Sequence, residues 1–317
     1  METIYFLVQQ TMLFSIPLLL VALGGMFSER SGVVNIALEG IMIIGAFTGI
    51  FFISRFGNLF SPTITLFIAI IISALSGLIF SLLHAYASIN MSADQVISGT
   101  ALNIFAPAFA IYVTRAIQVV QQISFVNNFR IEFVPILGNI PIIGNLLFKN
   151  AYITTYLGFI ILALSWFALY KTRFGLRLRS CGEHPQAADS VGINVYKMRY
   201  FGVAISGALA GIGGLVFVIP TSTNFNATVA GYGFLALAVL IFGQWKPMRI
   251  LYAAFFFGLM KTLASAYSGI PILSNLPISN SVYKMIPYIT TIIVLAFTSK
   301  NSQAPKASGL PYDKSVR

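Results

Sequence analysis

Long apolar runs, separated by short polar stretches marked by Gly and Pro, recur along the whole chain. A helix needs about 20 residues to cross roughly 30 Å of hydrocarbon. Nine runs approach that length: residues 4–27, 33–53, 62–83, 96–114, 151–170, 200–220, 231–242, 250–267 and 282–298. Several are short or broken by Gly, so the pattern predicts an all-α, polytopic integral membrane protein with about nine transmembrane helices, in a range of eight to ten. Residues 1–299 form a single transmembrane domain in this reading, and the basic tail 300–317 is expected to be disordered. Glu2, with no Lys or Arg ahead of the first run, does not fit a signal peptide, so that run is expected to stay as a helix.

Composition agrees. Of 317 residues 57% are hydrophobic and 9% charged, against about 25% charged in a typical soluble domain. Mean hydropathy is +0.87, and the single Cys181 rules out a disulfide scaffold. A net charge of +11 would suit nucleic acid, but the basic residues cluster in loops and the tail, which marks membrane topology instead. Lys171, Arg173, Arg177, Arg179, Lys197 and Arg199 place the 171–200 loop in the cytoplasm. Alternation outward from it leaves thirteen basic residues inside and four outside (Arg55, Arg115, Arg130, Lys149). The N-terminus is then outside, the C-terminus inside, and the loop from Arg115 to Lys149, with Pro135 to Leu146, extracytoplasmic.

Polar groups within apolar runs are costly and usually face a bundle interior or a water-filled path. In SERSGVVNIALEG, Ser28 to Gly40, Asn35 and Glu39 are four apart, hence on one face of a helix. Gly32, Gly40 and Gly45 allow backbone breaks or close helix contact, and a break here would present helix-end N–H and C=O groups to a solute; alternatively Glu39 sits near the cytoplasmic surface and caps a helix or pairs with Arg30. In ADQVISGTALN, Gln95, Gly99 and Asn103 form one stripe of a helix, suited equally to a neighbouring helix or a passing solute. Gly207 and Gly211 with Ala210 and Gly214 repeat small-xxx-small spacing, which lets another helix approach. Asn224 and Asn226, in the polar turn after it, are candidates for an outer entrance or a solvated loop. Lys261 lies inside a run, where it is either a buried functional cation or, the favoured reading, a long stem that snorkels to the outer interface.

The cytoplasmic loop carries GLRLRSCGEHPQAADSVGINV, Gly175 to Val195. Pro185 suits a first helical position, Glu183 or His184 a cap, and Gly192 a left-handed C-terminal residue. This predicts a short helix around Ala187 and Ala188, a knob for another protein's cleft. Cys181 and His184 lack partners at metal-ligand spacing, so no metal or catalytic group is expected, and no G-x-x-x-x-G-K-[ST] occurs to hold ATP.

SERSGVVNIALEG, ADQVISGTALN, the loop leading into SGALAGIGG, and GYGFLALAVLIFGQWKP (Gly231 to Pro247) together resemble permease subunits of ABC importers of the branched-chain amino acid, ribose and nucleoside superfamily. They are most similar to nucleoside, or simple-sugar, permeases, in order over nearly the whole chain. The resemblance implies a non-enzymatic subunit of a bacterial cytoplasmic-membrane importer. It would be paired with a second, homologous permease chain, an ATP-binding subunit with two ATPase domains that holds ATP and Mg, and an extracytoplasmic substrate-binding lipoprotein. Gly182, Glu183, Pro185, Ala187, Ala188 and Gly192 would form the coupling helix; Asn35, Glu39, Gln95, Asn103 and Asn224 would lie along the path. Cys181 departs from the expected Ala or Val. A secondary carrier or channel, using Glu39 or Lys261, is the alternative, and the cytoplasmic loop helix speaks against it.

Overall fold

This computed structural model describes residues 2–134, 138, 140, 144–267, 279–298 and 303–314. Its helices are α1 (Glu2–Arg30), α2 (Leu38–Phe56), α3 (Pro62–Ile89), α4 (Gln95–Gln118), α5 (Ile153–Lys171), α6 (Arg173–Glu183), α7 (Pro185–Ser190), α8 (Val195–Thr221), α9 (Tyr232–Phe242), α10 (Pro247–Ala266) and α11 (Asn280–Thr298). Among the described residues seven helices are long and apolar enough to cross a membrane: α1 to α5, α8 and α10. The run expected at 231–242 forms α9, with 11 residues; at 1.5 Å per residue it reaches only about 16 Å, half of the hydrocarbon layer.

The run expected at 33–53 is not one helix either. The chain leaves α1 through a Schellman turn: Gly32 N–H donates to Glu29 O (3.0 Å), Val33 N–H to Ser28 O (3.2 Å), and Gly32 sits at φ +99°, where a side chain would be strained. Residues 31–37 then run back into the bundle without helical structure, and α2 starts only at Leu38. Asn35 and Glu39 therefore do not share a helical face, because the first lies before the helix and the second within it.

One end of the bundle gathers Arg30, Lys171, α6, α7 and Lys246; it is called the basic end here. The opposite end carries two small antiparallel ribbons: β1 (Ile123–Ser124) pairs with β4 (Asn224–Phe225), and β2 (Arg130–Phe133) with β3 (Lys149–Tyr152). Most of the Pro135 to Leu146 stretch lies outside the described residues.

Buried along most of its length, α8 packs on α1, α2 and α3. The close approach is written in small residues. A Cβ on Gly45 would strike the Gly211 backbone, one on Gly77 the Gly207 carbonyl, and one on Gly214 the Met42 carbonyl. This is the use expected for the glycines between Gly207 and Gly214.

Two halves share one plan. In the first, α1, a break, α2, α3 and α4 follow each other; in the second, α8, a break, α9, α10 and α11. The packing corresponds as well: α8 lies on α2 and α3 as α1 lies on α9 and α10, and α2 touches α3 and α4 as α9 touches α10 and α11. Because α1 leads toward the basic end and α8 away from it, the halves are inverted, the arrangement that places two broken spans face to face.

The tail, expected to be disordered, is ordered over 303–314. Ala307 N–H donates to Gly182 O (2.9 Å) and Gly309 N–H to Gly32 O (3.2 Å). Arg199 Nη1 donates to Leu310 O (3.0 Å), and Tyr312 is buried against Cys181, Ala188 and Val195. Composition suggested a solvated tail, but Ala307 and Tyr312 find an apolar seat beside α6, α7 and α8.

Candidate functional site

The two breaks meet in the interior. Asn103 lies eight residues into α4, about 12 Å along the helix, and its side chain clasps the start of α2: Oδ1 accepts from Gly40 N–H (2.7 Å) and Nδ2 donates to Ile36 O (2.8 Å). Gln95 Oε1 accepts from Val34 N–H (2.7 Å), and a Cβ on Gly99 would touch Ile36 and Ala37. The Gln95, Gly99, Asn103 stripe thus faces the broken backbone. His84 Nε2 bonds Val34 O (2.9 Å) and Nδ1 bonds Ser98 Oγ (3.0 Å). Asn35 is fully buried, donating to Ser206 Oγ (2.9 Å) while its Oδ1 accepts from Ala37 N–H (3.1 Å). Several groups freed by the break at 31–37 are met by side chains, as a lipid-embedded backbone requires.

Glu39 joins the two halves. Its Oε1 accepts from Gly231 N–H (2.9 Å) and its Oε2 from Gly233 N–H (2.6 Å), so a buried carboxylate caps the positive, mid-bundle end of α9. A Cβ on Gly233 would collide with the Glu39 backbone, which fixes glycine there. Pairing with Arg30, the other reading of Glu39, does not occur, since Arg30 reaches Glu183 instead (3.6 Å).

Lys261 lies beside this junction. Its Nζ is 5.9 Å from the centroid of the Tyr232 ring, whose face attracts a cation. Tyr232 is buried against Phe217 (ring centroids 4.0 Å apart), and its hydroxyl has no hydrogen-bond partner among the described residues. Asn224 sits apart from these groups, exposed in the β4 ribbon at the opposite end, with its N–H on Ser222 Oγ (3.1 Å). Asn226 lines an open depression of about 740 Å³ there, with Arg115 and Gln122.

At the basic end, Pro185 is the first residue of α7, and Gly192 closes it at φ +83°. His184 occupies the N-cap position without a side-chain cap. Gly182 packs against the Arg30 carbonyl. Ala188 is buried, while Glu183 and Ala187 border an apolar concavity of about 320 Å³ with Val191 and Ile193. Cys181 is fully buried, and burial pushes its thiol above the ordinary range. Among the described residues no group of three His, Cys, Asp or Glu could hold a metal.

A family model described as branched-chain amino acid transport system / permease component matches residues 7–295. The chain belongs to that family. It is 42% identical over 315 residues to the nucleoside ABC transporter permease protein NupC of Lactococcus lactis subsp. cremoris, covering 99% of this chain and 98% of that one. It is 44% identical over 313 residues to the guanosine ABC transporter permease protein NupQ of Bacillus subtilis, covering 98% and 97%. A third relative is the nucleoside ABC transporter permease protein NupB of the same Lactococcus strain, 25% identical over 307 residues, covering 92% and 81%. No solved structure matches.

Several groups that shape this permease were not singled out from its sequence. Glu29 accepts from Trp245 Nε1 (2.6 Å) and Arg30 Nη2 donates to Trp245 O (3.0 Å), tying the end of α1 to the end of α9. Arg199, counted as a loop cation, is fully buried under the tail. Helix α6 was missed, although Thr172, whose hydroxyl accepts from Gly175 N–H (3.1 Å), is a legible cap.

Proposed function

We propose that this permease is the membrane-spanning subunit of an ATP-driven importer of nucleosides, with its basic end in the cytoplasm. The observation that carries the reading is the mechanical continuity between an exposed knob and the two broken spans. Knob residues Gly182 and Glu183 touch Arg30; Arg30 and Glu29 hold Trp245 at the end of α9; α1 and α9 lead to the junction where Glu39 and Asn103 meet the broken backbone. A displacement of α6 and α7 therefore reaches both breaks through stiff helices. An ATPase that docks on Glu183, Pro185, Ala187, Ala188 and the turn at Gly192 would drive the bundle between outward-open and inward-open states.

Asn35, Glu39, Gln95 and Asn103 frame the pathway at its middle, and Asn224 marks its outer mouth. These groups are polar and, apart from Glu39, uncharged. That suits a nucleoside, which offers donors and acceptors without net charge. The names of NupC and NupQ support the substrate class, and the occurrence of NupB beside NupC in one strain supports pairing with a second, homologous permease chain. An ATP-binding subunit with two ATPase domains binds ATP and Mg, and an extracytoplasmic lipoprotein delivers the solute. The expected count of about nine needs α11 as an eighth span and the half-length α9 as a ninth element beside the seven long apolar helices.

Affinity purification of the tagged chain from its native membrane in mild detergent, followed by mass spectrometry, tests this reading. Recovery of a second permease and a two-domain ATPase, with ATP-dependent uptake of labelled nucleoside by the complex, is expected. Recovery of the chain alone, under conditions where a known ABC complex survives, would overturn it.

A further inference from the structure

Lys261 is an intramembrane cation facing inward. Ile250, Ala254, Phe257, Lys261 and Ala264 are spaced four, three, four and three apart, one stripe of α10; Ile250, Ala254 and Phe257 are fully buried and Ala264 is 6% exposed. The lipid-facing positions of α10 lie elsewhere, at Tyr252 and Leu259. A helical side chain leans toward its helix N-terminus, which for α10 is the basic end. The Lys261 stem thus points into the middle of the bundle, toward Tyr232, and not out to the interface where snorkelling would carry it. A cation at such a depth, with an aromatic face as its neighbour, is costly and marks a functional position.

The ammonium has no hydrogen bond or ion pair among the described residues. Both oxygens of Glu39, the nearby carboxylate, are committed to Gly231 and Gly233. The Tyr232 hydroxyl, on the ring that faces Lys261, is buried and has no hydrogen-bond partner among the described residues. A buried hydroxyl left unpaired is unfavourable; with the half-buried ammonium over the same ring, the mid-bundle end of this half-helix carries two donors that a ligand rich in acceptors would satisfy.

Resting on the nucleoside reading above, we propose that Lys261 and Tyr232 form a hydrogen-bonding station in the pathway that selects nucleobases bearing a carbonyl over those bearing an amino group at the same position. An ammonium donates and cannot accept. The edge of a 6-oxopurine presents two adjacent acceptors, O6 and N7, whereas a 6-aminopurine puts a donor beside its N7. Lys261 meets the first edge with attraction and the second with an opposed donor.

Inosine and adenosine share the ribose and the N7 edge and differ at C6 and in the proton on the neighbouring N1, so they are the probes. Uptake of each is measured in vesicles holding the intact complex with its own ATPase, partner permease and binding protein, with wild type, Lys261→Met, Lys261→Arg and Tyr232→Phe. The binding protein contributes the same selectivity throughout and divides out of a comparison between variants. The expected result is an inosine-to-adenosine ratio of kcat/KM that falls about tenfold or more in Lys261→Met, in line with the loss of a hydrogen bond from a charged group, is largely kept in Lys261→Arg, and falls less in Tyr232→Phe. A ratio that stays at the wild-type value in Lys261→Met, with the complex assembled, overturns the station, whether total uptake drops or not. If Lys261→Met fails to assemble, Tyr232→Phe, which removes one buried oxygen, decides by the same ratio. Wild-type complex that carries neither nucleoside removes the substrate reading and this inference with it; wild-type uptake with an unmoved ratio removes this inference alone.

Discussion

Replacing Glu39 with Gln removes a charge while keeping shape. In the native junction both carboxylate oxygens accept from backbone N–H groups, Gly231 at 2.9 Å and Gly233 at 2.6 Å. An amide keeps one acceptor and turns the other into an NH₂ donor facing an N–H donor, so one bond is lost and one N–H is stranded in the interior. A hydrogen bond to a charged group contributes about 1.5–3 kcal/mol, and a stranded buried donor costs about 1–3 kcal/mol. The lost attraction between a negative charge and the N-terminus of α9 adds on the order of 1 kcal/mol. These overlap, so Glu39→Gln is expected to destabilise the permease by about 3 kcal/mol, and Glu39→Ala, which strands both N–H groups, by more. For a chain of this size that is a fall in melting temperature of about 5 °C. Fluorescence-detected size exclusion of the detergent-extracted complex after a temperature series would measure it, with uptake assayed in parallel. Because the carboxylate joins the two inverted halves, Glu39→Gln should lose uptake at temperatures where the complex is still intact. A variant with wild-type melting and wild-type uptake would refute the claim that Glu39 holds the junction.

Other outcomes follow from the same structure. Ending the chain after residue 302 removes the Tyr312 contact and the backbone bonds to Gly182 and Gly32; a loss of about 3 kcal/mol is expected from burial and hydrogen bonds together, read as a lower melting temperature. On that truncated background Arg199→Met should cost little more, since Leu310, the acceptor for Arg199, is already gone. Gly45→Val places a side chain on the Gly211 backbone where α2 and α8 touch, so the yield of monodisperse protein should collapse, and normal yield would contradict the close approach. Cys181 is buried and its thiol is held protonated above the ordinary range; the folded complex should resist a water-soluble maleimide at pH 7.5 and react fully only after denaturation.

The apolar runs were legible because lipid leaves the backbone no partner but its own helix, so each span has to declare itself locally. The short knob was legible for a similar reason: Pro185 and Gly192 act on the backbone at their own positions, and both stand where those properties predict. The break after α1 was readable at Gly32, and the small residues of α8 announced a close helix contact. Even the family could be identified from motifs that lie along the chain in order.

What the sequence could not determine is which groups meet. A helical spacing of four put Asn35 with Glu39, yet the break separates them, and their partners are Ser206 and the start of α9. Composition made the tail a solvated appendage, while the fold offers it an apolar seat and a buried guanidinium. Lys261 looked like a cation on its way to the interface until the stripe of α10 showed which way it faces. In each case the deciding partner lies far away in the chain: the span, its break and its length were set by local hydrophobicity and backbone freedom, but the satisfaction of a broken backbone depends on side chains that only the packing of two inverted halves brings together.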